Sequence, residues 1–185
     1  MNIEDFKIFK SIPSLKTDRL TLRKITKKDL DDIFEYSQDP EVSKHLMWYP
    51  HPTRSVSRSY LSGVIKRYKS GSFYDWAIEY ENKMIGTVGF SKIDVLNDTA
   101  EIGYVLNRDF WGRGFAAEAA KEVIRFGFDV LKLRRIDAVC MVENAQSLAV
   151  MKKCGMTPSD EKREPISKDG KTHKLSVSSI FSPDI

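Results

Sequence analysis

Two periodicities take turns along the chain. Arg19–Ile25 (RLTLRKI) alternates apolar and polar positions and predicts a strand, and Thr26 with Asp29 three residues on has the spacing of a capping box. Leu30, Ile33, Phe34 and Ser37 follow at helical spacing and predict a short amphipathic helix ending near Ser37. Asp39–Pro52 is punctuated by prolines and reads as a loop with an exposed aromatic cluster. Val56, Tyr60, Val64 and Tyr68 mark a second helix that stops near Gly71. An antiparallel meander of three strands comes next. Its first strand is Phe73–Tyr80, with Tyr74, Trp76, Ile78 and Tyr80 on one face. A tight turn at Glu81–Lys83 leads to Met84–Ile93, and a turn at Asn97–Asp98 leads to Ala100–Asn107.

The period then changes again. Ala116, Ala120, Val123, Gly127 and Val130 form one apolar stripe, with Glu118, Lys121, Glu122, Arg125 and Asp129 opposite, so this helix buries one face. Arg134–Val142 reads as a strand buried on both sides. A short helix follows, with Asn144 placed to cap its start and Gly155 placed as its left-handed stop. Met156–Arg163 and His173–Ile180 supply two final strands around a loop at Lys168–Lys171. The predicted order is β-α-α-β-β-β-α-β-α-β-β, an α/β protein with a mixed sheet and helices on both of its faces.

Composition narrows the class. A chain of 185 residues is one domain with room for a sizeable core, and 41% apolar with 30% charged residues is ordinary for a globular protein. Net charge is only +4 and the basic residues are scattered in short pairs such as Lys27–Lys28 and Arg134–Arg135, so no direct nucleic-acid binding is expected. Cys140 and Cys154 form no C-x-x-C and no cluster with His45, His51 or His173; neither a metal site nor a disulfide framework is expected. Plain thiols, a charged N-terminus and no apolar run near the ~20 residues of a membrane span predict a cytoplasmic protein without a membrane partner.

The candidate chemistry sits in Arg108–Val123 (RDFWGRGFAAEAAKEV), where a strand, a glycine turn and a helix start meet. The first amides of a helix have no intrahelical partner, and the helix dipole adds positive potential, so an anion fits there. Gly112 and Gly114 permit unusual backbone angles and close approach, and Ala116 and Ala117 keep the first turn narrow. A phosphate is the natural occupant. The Walker loop G-x-x-x-x-G-K-[ST] is absent. A dinucleotide fingerprint lacks its third glycine, where Ala117 stands, and its preceding strand contains Glu101. A tight strand-to-helix turn without a ligand stays open at this level.

Three blocks occur together in order: LKTDRLTLRKIT, AEIGYVLNRDFWGRGFAAEA and LRRIDAVCMVENAQSLAVMKKCGM. The chain so resembles the GNAT acetyltransferases, and within them the branch typified by the ribosomal-protein N-terminal acetyltransferases RimJ and RimL. The resemblance runs from about Leu15 to Ile180. It implies the GNAT fold, a mixed, mostly antiparallel seven-stranded sheet flanked by about four helices. The Q/R-x-x-G-x-G/A signature reads here Trp111, Gly112, Arg113, Gly114, Phe115 and Ala116, with Trp in the first slot as suits this branch. The implied anion is the pyrophosphate of acetyl-coenzyme A (acetyl-CoA), held by amides from Gly112 to Ala116. The implied place for the pantetheine arm is between two splayed strands, paired with backbone near Tyr104, Val105 and Leu106 and touched by Asn144. Lys153 matches a basic position that reaches the adenosine 3′-phosphate, or it belongs to a solvated helix face.

By the same resemblance, Glu101 is the candidate base and Ser147, from N-x-x-S, the candidate acid for the leaving sulfur. A backbone N–H near Val105 would meet the oxyanion. Each has a plain structural alternative: a strand carboxylate for Glu101, and a first-turn serine bonding its own backbone for Ser147. Trp48, Tyr49 and His51 match a region that lines the acceptor cleft. Ser178 stands where the branch often has a tyrosine. An N-terminal amine of pKa ~8 costs roughly 3 kcal/mol less to deprotonate than a lysine of ~10.4. The expected reaction is therefore N-acetylation of a protein N-terminal amine, with a small-molecule amine (an amino acid, a polyamine or an aminoglycoside) or a non-catalytic acyl-CoA sensor as alternatives. A homodimer is left open.

Overall fold

The computed structural model describes residues 12–70 and 74–183. Among the described residues, ten strands and five α-helices follow one another as β1 (Leu15–Lys16), β2 (Thr21–Lys24), α1 (Leu30–Ser37), α2 (Pro40–Ser43), α3 (Arg54–Ser70), β3 (Tyr74–Tyr80), β4 (Lys83–Asp94), β5 (Thr99–Leu106), α4 (Phe115–Asp129), β6 (Arg135–Met141), α5 (Ala145–Lys153), β7 (Thr157–Pro158), β8 (Ile166–Lys168), β9 (Lys171–His173) and β10 (Leu175–Phe181). Short 3-10 turns precede α1 at Lys27–Asp29 and α4 at Arg108–Phe110. Gly71 and Phe73, the expected end of a helix and start of a strand, lie outside the described residues.

The main sheet has eight strands in the order β1-β2-β3-β4-β5-β6-β10-β7. The expected seven become eight because Leu15–Lys16, too short to show a period, adds a strand of two residues, while the strand expected over Met156–Arg163 shrinks to Thr157–Pro158. The antiparallel meander stands as read, β3 with β4 and β4 with β5. The pair β5–β6 is parallel, and its ladder covers Thr99↔Arg135, Ala100↔Ile136 and Glu101↔Asp137. Beyond Glu101 the two strands diverge, while β6 keeps its full pairing with β10 on the other side, from Leu175↔Met141 to Phe181↔Arg135. A wedge thus opens in the middle of the sheet.

Each sheet face carries a core. α4 packs on one with Phe115, Ala119, Ala120, Val123 and Phe126, the last meeting Trp76 edge-on at 5.6 Å. α1 and α3 pack on the other, with Ile33, Tyr36, Leu61, Val64 and Tyr68 against Ala77 and Met84. The capping box forms, with the Thr26 side chain accepting from Lys28 and Asp29 accepting from the Thr26 amide at 2.6 Å. Gly155 is left-handed, with φ 80°.

Four expectations need correction. The Asp39–Pro52 loop contains α2, started by Pro40 and by Asp39, whose side chain accepts from Glu41 N at 2.9 Å. Val130 lies past the end of α4 and is 40% exposed, so it leaves the buried stripe. Glu118 does not face solvent freely, because its carboxylate binds Thr17 Oγ1 and the Arg19 guanidinium. Lys168–Lys171 is the turn of a separate hairpin, β8–β9, made tight by Asp169 and Gly170 at positive φ. No helix among the described residues is long and apolar enough to cross a membrane.

Candidate active site

The wedge between β5 and β6 is the mouth of a cleft of ≈ 400 Å³. Ile102–Leu106 lines one wall and Ala138–Cys140 the other. The start of α4 closes one end, α5 lines the side, and Glu41, Val42, His45 and Leu46, from α2 and the residues after it, complete the lining.

The glycine turn is built for an anion. Gly112 and Gly114 take φ 75° and 82°, in the left-handed region that side chains avoid. Gly114 is the N-cap of α4, and no side chain caps the first amides of this 15-residue helix. A Cβ on Gly112 would meet nothing within 4 Å, and one on Gly114 only Arg19 Nη2 at 3.6 Å, so the space above the turn is open. Uncapped amides, a helix dipole and open space together fit a phosphate group. Trp111 anchors the turn by donating from Nε1 to the Leu106 carbonyl at 2.9 Å.

Of the residues singled out for a cofactor, Tyr104, Val105, Leu106, Trp111, Gly112, Gly114, Phe115, Ala116, Asn144 and Lys153 line this cleft. Arg113 does not; its guanidinium lies over the rings of Tyr80, Phe110 and Phe115 at 5.0, 5.6 and 4.7 Å. Asn144 caps α5 by accepting from Ser147 N at 3.0 Å.

Ser147 lines the cleft as well, and the structure adds a partner that sequence reasoning treated only as backbone. The hydroxyls of Tyr104 and Ser147 share a hydrogen bond of 2.9 Å, and the tyrosine also donates to the Ser147 carbonyl at 3.1 Å. Burial raises the Tyr104 pKa, against the bond to Ser147, so the phenol keeps its proton. Cys140 faces the same serine, and burial raises its thiol too. Cys140 lies on a strand with no motif around it, and nothing in the sequence marks it.

Glu101 is not brought to the cleft. It belongs to the closed part of the wedge, where its carboxylate lies 3.5 Å from Arg163 Nη2 and its backbone carbonyl accepts from Ser91 at 3.2 Å. Trp48, Tyr49 and His51 do not line the cleft either. His51 Nδ1 and Ser57 Oγ are 2.8 Å apart at the start of α3, and Trp48 packs against His51 at 5.4 Å. Ser178 is buried in β10 opposite Ala138. What shapes this side of the cleft is Lys168, a residue sequence reasoning used only as the edge of a loop. Its ammonium is buried and donates to the carbonyls of Ser43, Leu46 and Trp48 at 2.6, 2.7 and 3.2 Å. It thereby ties the β8–β9 hairpin to the segment after α2.

The chain has relatives among known proteins. Residues 19–157 match the family described as an acetyltransferase (GNAT) domain. An uncharacterized N-acetyltransferase p20 of Bacillus licheniformis is 39% identical over 140 residues, covering 75% of this chain and 79% of its own. The ribosomal-protein-serine acetyltransferase of Escherichia coli K12 is 33% identical over 91 residues, 49% of this chain and 51% of its own. The fold matches that of RimL, a ribosomal L7/L12 α-N-protein acetyltransferase in complex with coenzyme A, with a TM-score of 0.83 and 20% identity over 92% of this chain and 98% of that one.

Proposed function

We propose, from the premise that this chain belongs to the GNAT family of acetyl-CoA-dependent N-acetyltransferases, that its acceptor is a protein N-terminal α-amine. The ribosomal-protein-serine acetyltransferase among its relatives supports the reading. The observation that carries it is the charge pattern on the acceptor side. Of the carboxylates there, Glu41 is paired with Lys44 at 3.4 Å, Asp169 adjoins Lys168, whose buried ammonium adds a positive charge, and Glu143 lies 3.5 Å from His173 Nδ1. A polyamine or an aminoglycoside needs several free carboxylates to offset its charge. A single α-amine on an extended chain does not.

Acetyl-CoA supplies a thioester already activated toward acyl transfer. The amides of Gly112–Ala116 would hold its pyrophosphate, Lys153 would meet the adenosine end, and the free edge of β5 from Tyr104 to Leu106 would pair with the pantetheine. Tyr104 and Ser147 would act as one proton donor for the departing sulfur, since burial keeps the phenol protonated.

The test is steady-state acetylation of a panel of peptide N-termini against spermidine and kanamycin at low and high ionic strength. Peptides should turn over with little salt dependence. Salt-sensitive turnover of the polycations alone overturns the acceptor assignment. In a separate unfolding experiment acetyl-CoA at a hundred times its Kd should stabilise the fold by about 2.7 kcal/mol, and Gly114→Val, strained at φ 82° and with its side chain in the space a phosphate would take, should abolish that shift.

A further inference from the structure

Removing the ammonium proton of the acceptor requires a group in the cleft that arrives without its own proton. The titratable side chains lining the cleft are Glu41, His45, Tyr104, Cys140 and Lys153. Burial keeps the protons on Tyr104 and Cys140. The Lys153 ammonium is a donor only, and it sits at the last turn of α5, about 9 Å along the helix from Ser147 at 1.5 Å per residue. Glu41 is exposed and paired with Lys44. His45 remains. It is half-buried, and it follows α2 between Ser43 and Leu46, whose carbonyls both bind the Lys168 ammonium. The backbone is thus pinned on both sides of the imidazole.

We propose that His45 is the proton acceptor for the incoming amine, with Lys168 as a positioning group. The proposal rests on the acetyltransferase reading given above. The groups facing the imidazole are Lys44 beside it, Glu143 from the β6–α5 connection, His173 from the end of β9 and Lys168 from β8. Burial, then Lys44, His173 and Lys168, lower the His45 pKa against the pull of Glu143, so the ring is neutral at pH 7. In the reaction the amine nitrogen forms the C–N bond to the thioester carbonyl carbon and the C–S bond breaks. The imidazole first takes the ammonium proton and passes it to solvent; once the C–N bond forms it takes the second N–H proton, directly or through one water, and the thiolate takes a proton from the Tyr104–Ser147 pair. His45 then releases its proton to solvent at the mouth, and solvent reprotonates the hydroxyl pair. The net products are the acetylated amine and free coenzyme A.

The experiment is the pH dependence of turnover between pH 5.5 and 9 for the full chain and for His45→Gln and His45→Ala, on the best peptide of the panel. Acetyl-CoA affinity is measured alongside by calorimetry, and the His45 ring is titrated by NMR in the parent. His45→Gln should lose about 10²-fold in kcat at pH 7, lose progressively less toward pH 9, and keep the parental affinity for acetyl-CoA. The acid limb of the parent profile should lie below 6.5, coincide with the NMR midpoint of His45 and vanish in the variant. Imidazole in solution should restore part of the turnover of His45→Ala. Parental kcat with an intact acid limb in His45→Gln overturns the proposal alone, as does an NMR midpoint that misses the limb. A parent that binds acetyl-CoA but acetylates no amine overturns the functional reading and this proposal together.

Discussion

Lys168→Met isolates the contact that closes the acceptor side of the site. Methionine keeps the length and most of the apolar volume of lysine but removes Nζ, and with it the bonds to Ser43, Leu46 and Trp48 at 2.6, 2.7 and 3.2 Å and the cation above the Tyr49 ring at 5.2 Å. A hydrogen bond from a charged donor is worth about 1.5–3 kcal/mol net, and a carbonyl left buried without a partner costs about 1–3. Three bonds sharing one ammonium do not add. Desolvation of the ammonium opposes them, and burial does lower the Lys168 pKa. The balance is a loss of about 2–4 kcal/mol. With a urea m-value of about 2 kcal/mol/M that is a fall in midpoint of about 1–2 M at unchanged m. Tryptophan fluorescence, to which Trp48 at the broken contact contributes with Trp76 and Trp111, reports the transition. The residues from Lys44 to Tyr49 should lose amide exchange protection, and kcat should drop with His45 no longer held in place. Acetyl-CoA affinity should stay at the parental value, because the glycine turn is at the other end of the cleft. A midpoint within 0.3 M of the parent with unchanged protection would refute the claim that Lys168 organises this side.

Two other outcomes follow from hydrogen bonds elsewhere. If Tyr104 and Ser147 protonate the sulfur as a unit, Tyr104→Phe and Ser147→Ala should each lower kcat about 10²-fold, the double variant should be little worse than either, and a multiplicative loss would separate their roles. Asp29→Asn should cost about 3 kcal/mol at pH 7 by breaking a buried pair, since Asp29 accepts from Arg23 at 2.7 and 3.0 Å and from Thr26 N. Burial pushes the Asp29 pKa up, but the bonds from Arg23 and Thr26 outweigh it and the pKa is lowered. The contribution is thus present above the unfolded value near 3.9 and lost as pH falls through the folded one, so urea midpoints of parent and variant should converge on acidification toward pH 3.

The two halves of the site differ in how far apart their parts lie along the chain, and that decided what could be read. Most of the cofactor half is one contiguous stretch, Tyr104–Ala116, to which α5 adds Asn144 and Lys153. Alternation in β5, two glycines at positive φ and the uncapped start of α4 all follow from neighbours in sequence, and local sterics and helix-end electrostatics dictate them. The acceptor half is made by contacts between distant segments. The bond from Lys168 to Ser43 spans 125 positions, and in the sequence Lys168 is one more polar residue before a turn. The β8–β9 hairpin leaves the main sheet and β10 enters between β6 and β7, a rearrangement that two short final strands in sequence do not reveal. Glu101 is a case of the same kind. Its period-2 position is right, but its partner Arg163 lies in an irregular segment with no pattern to locate it. His45 had no motif around it, and it acquires a role only once Lys168 and the Glu143–His173 pair are seen beside it. A helix N-terminus that binds phosphate tolerates few residues, whereas a surface assembled from remote side chains can be rebuilt one contact at a time. The acceptor is therefore the property of this chain that must be argued from structure, and the pairing of Glu41 with Lys44 beside the buried Lys168 ammonium supports the proposal of a singly charged amine.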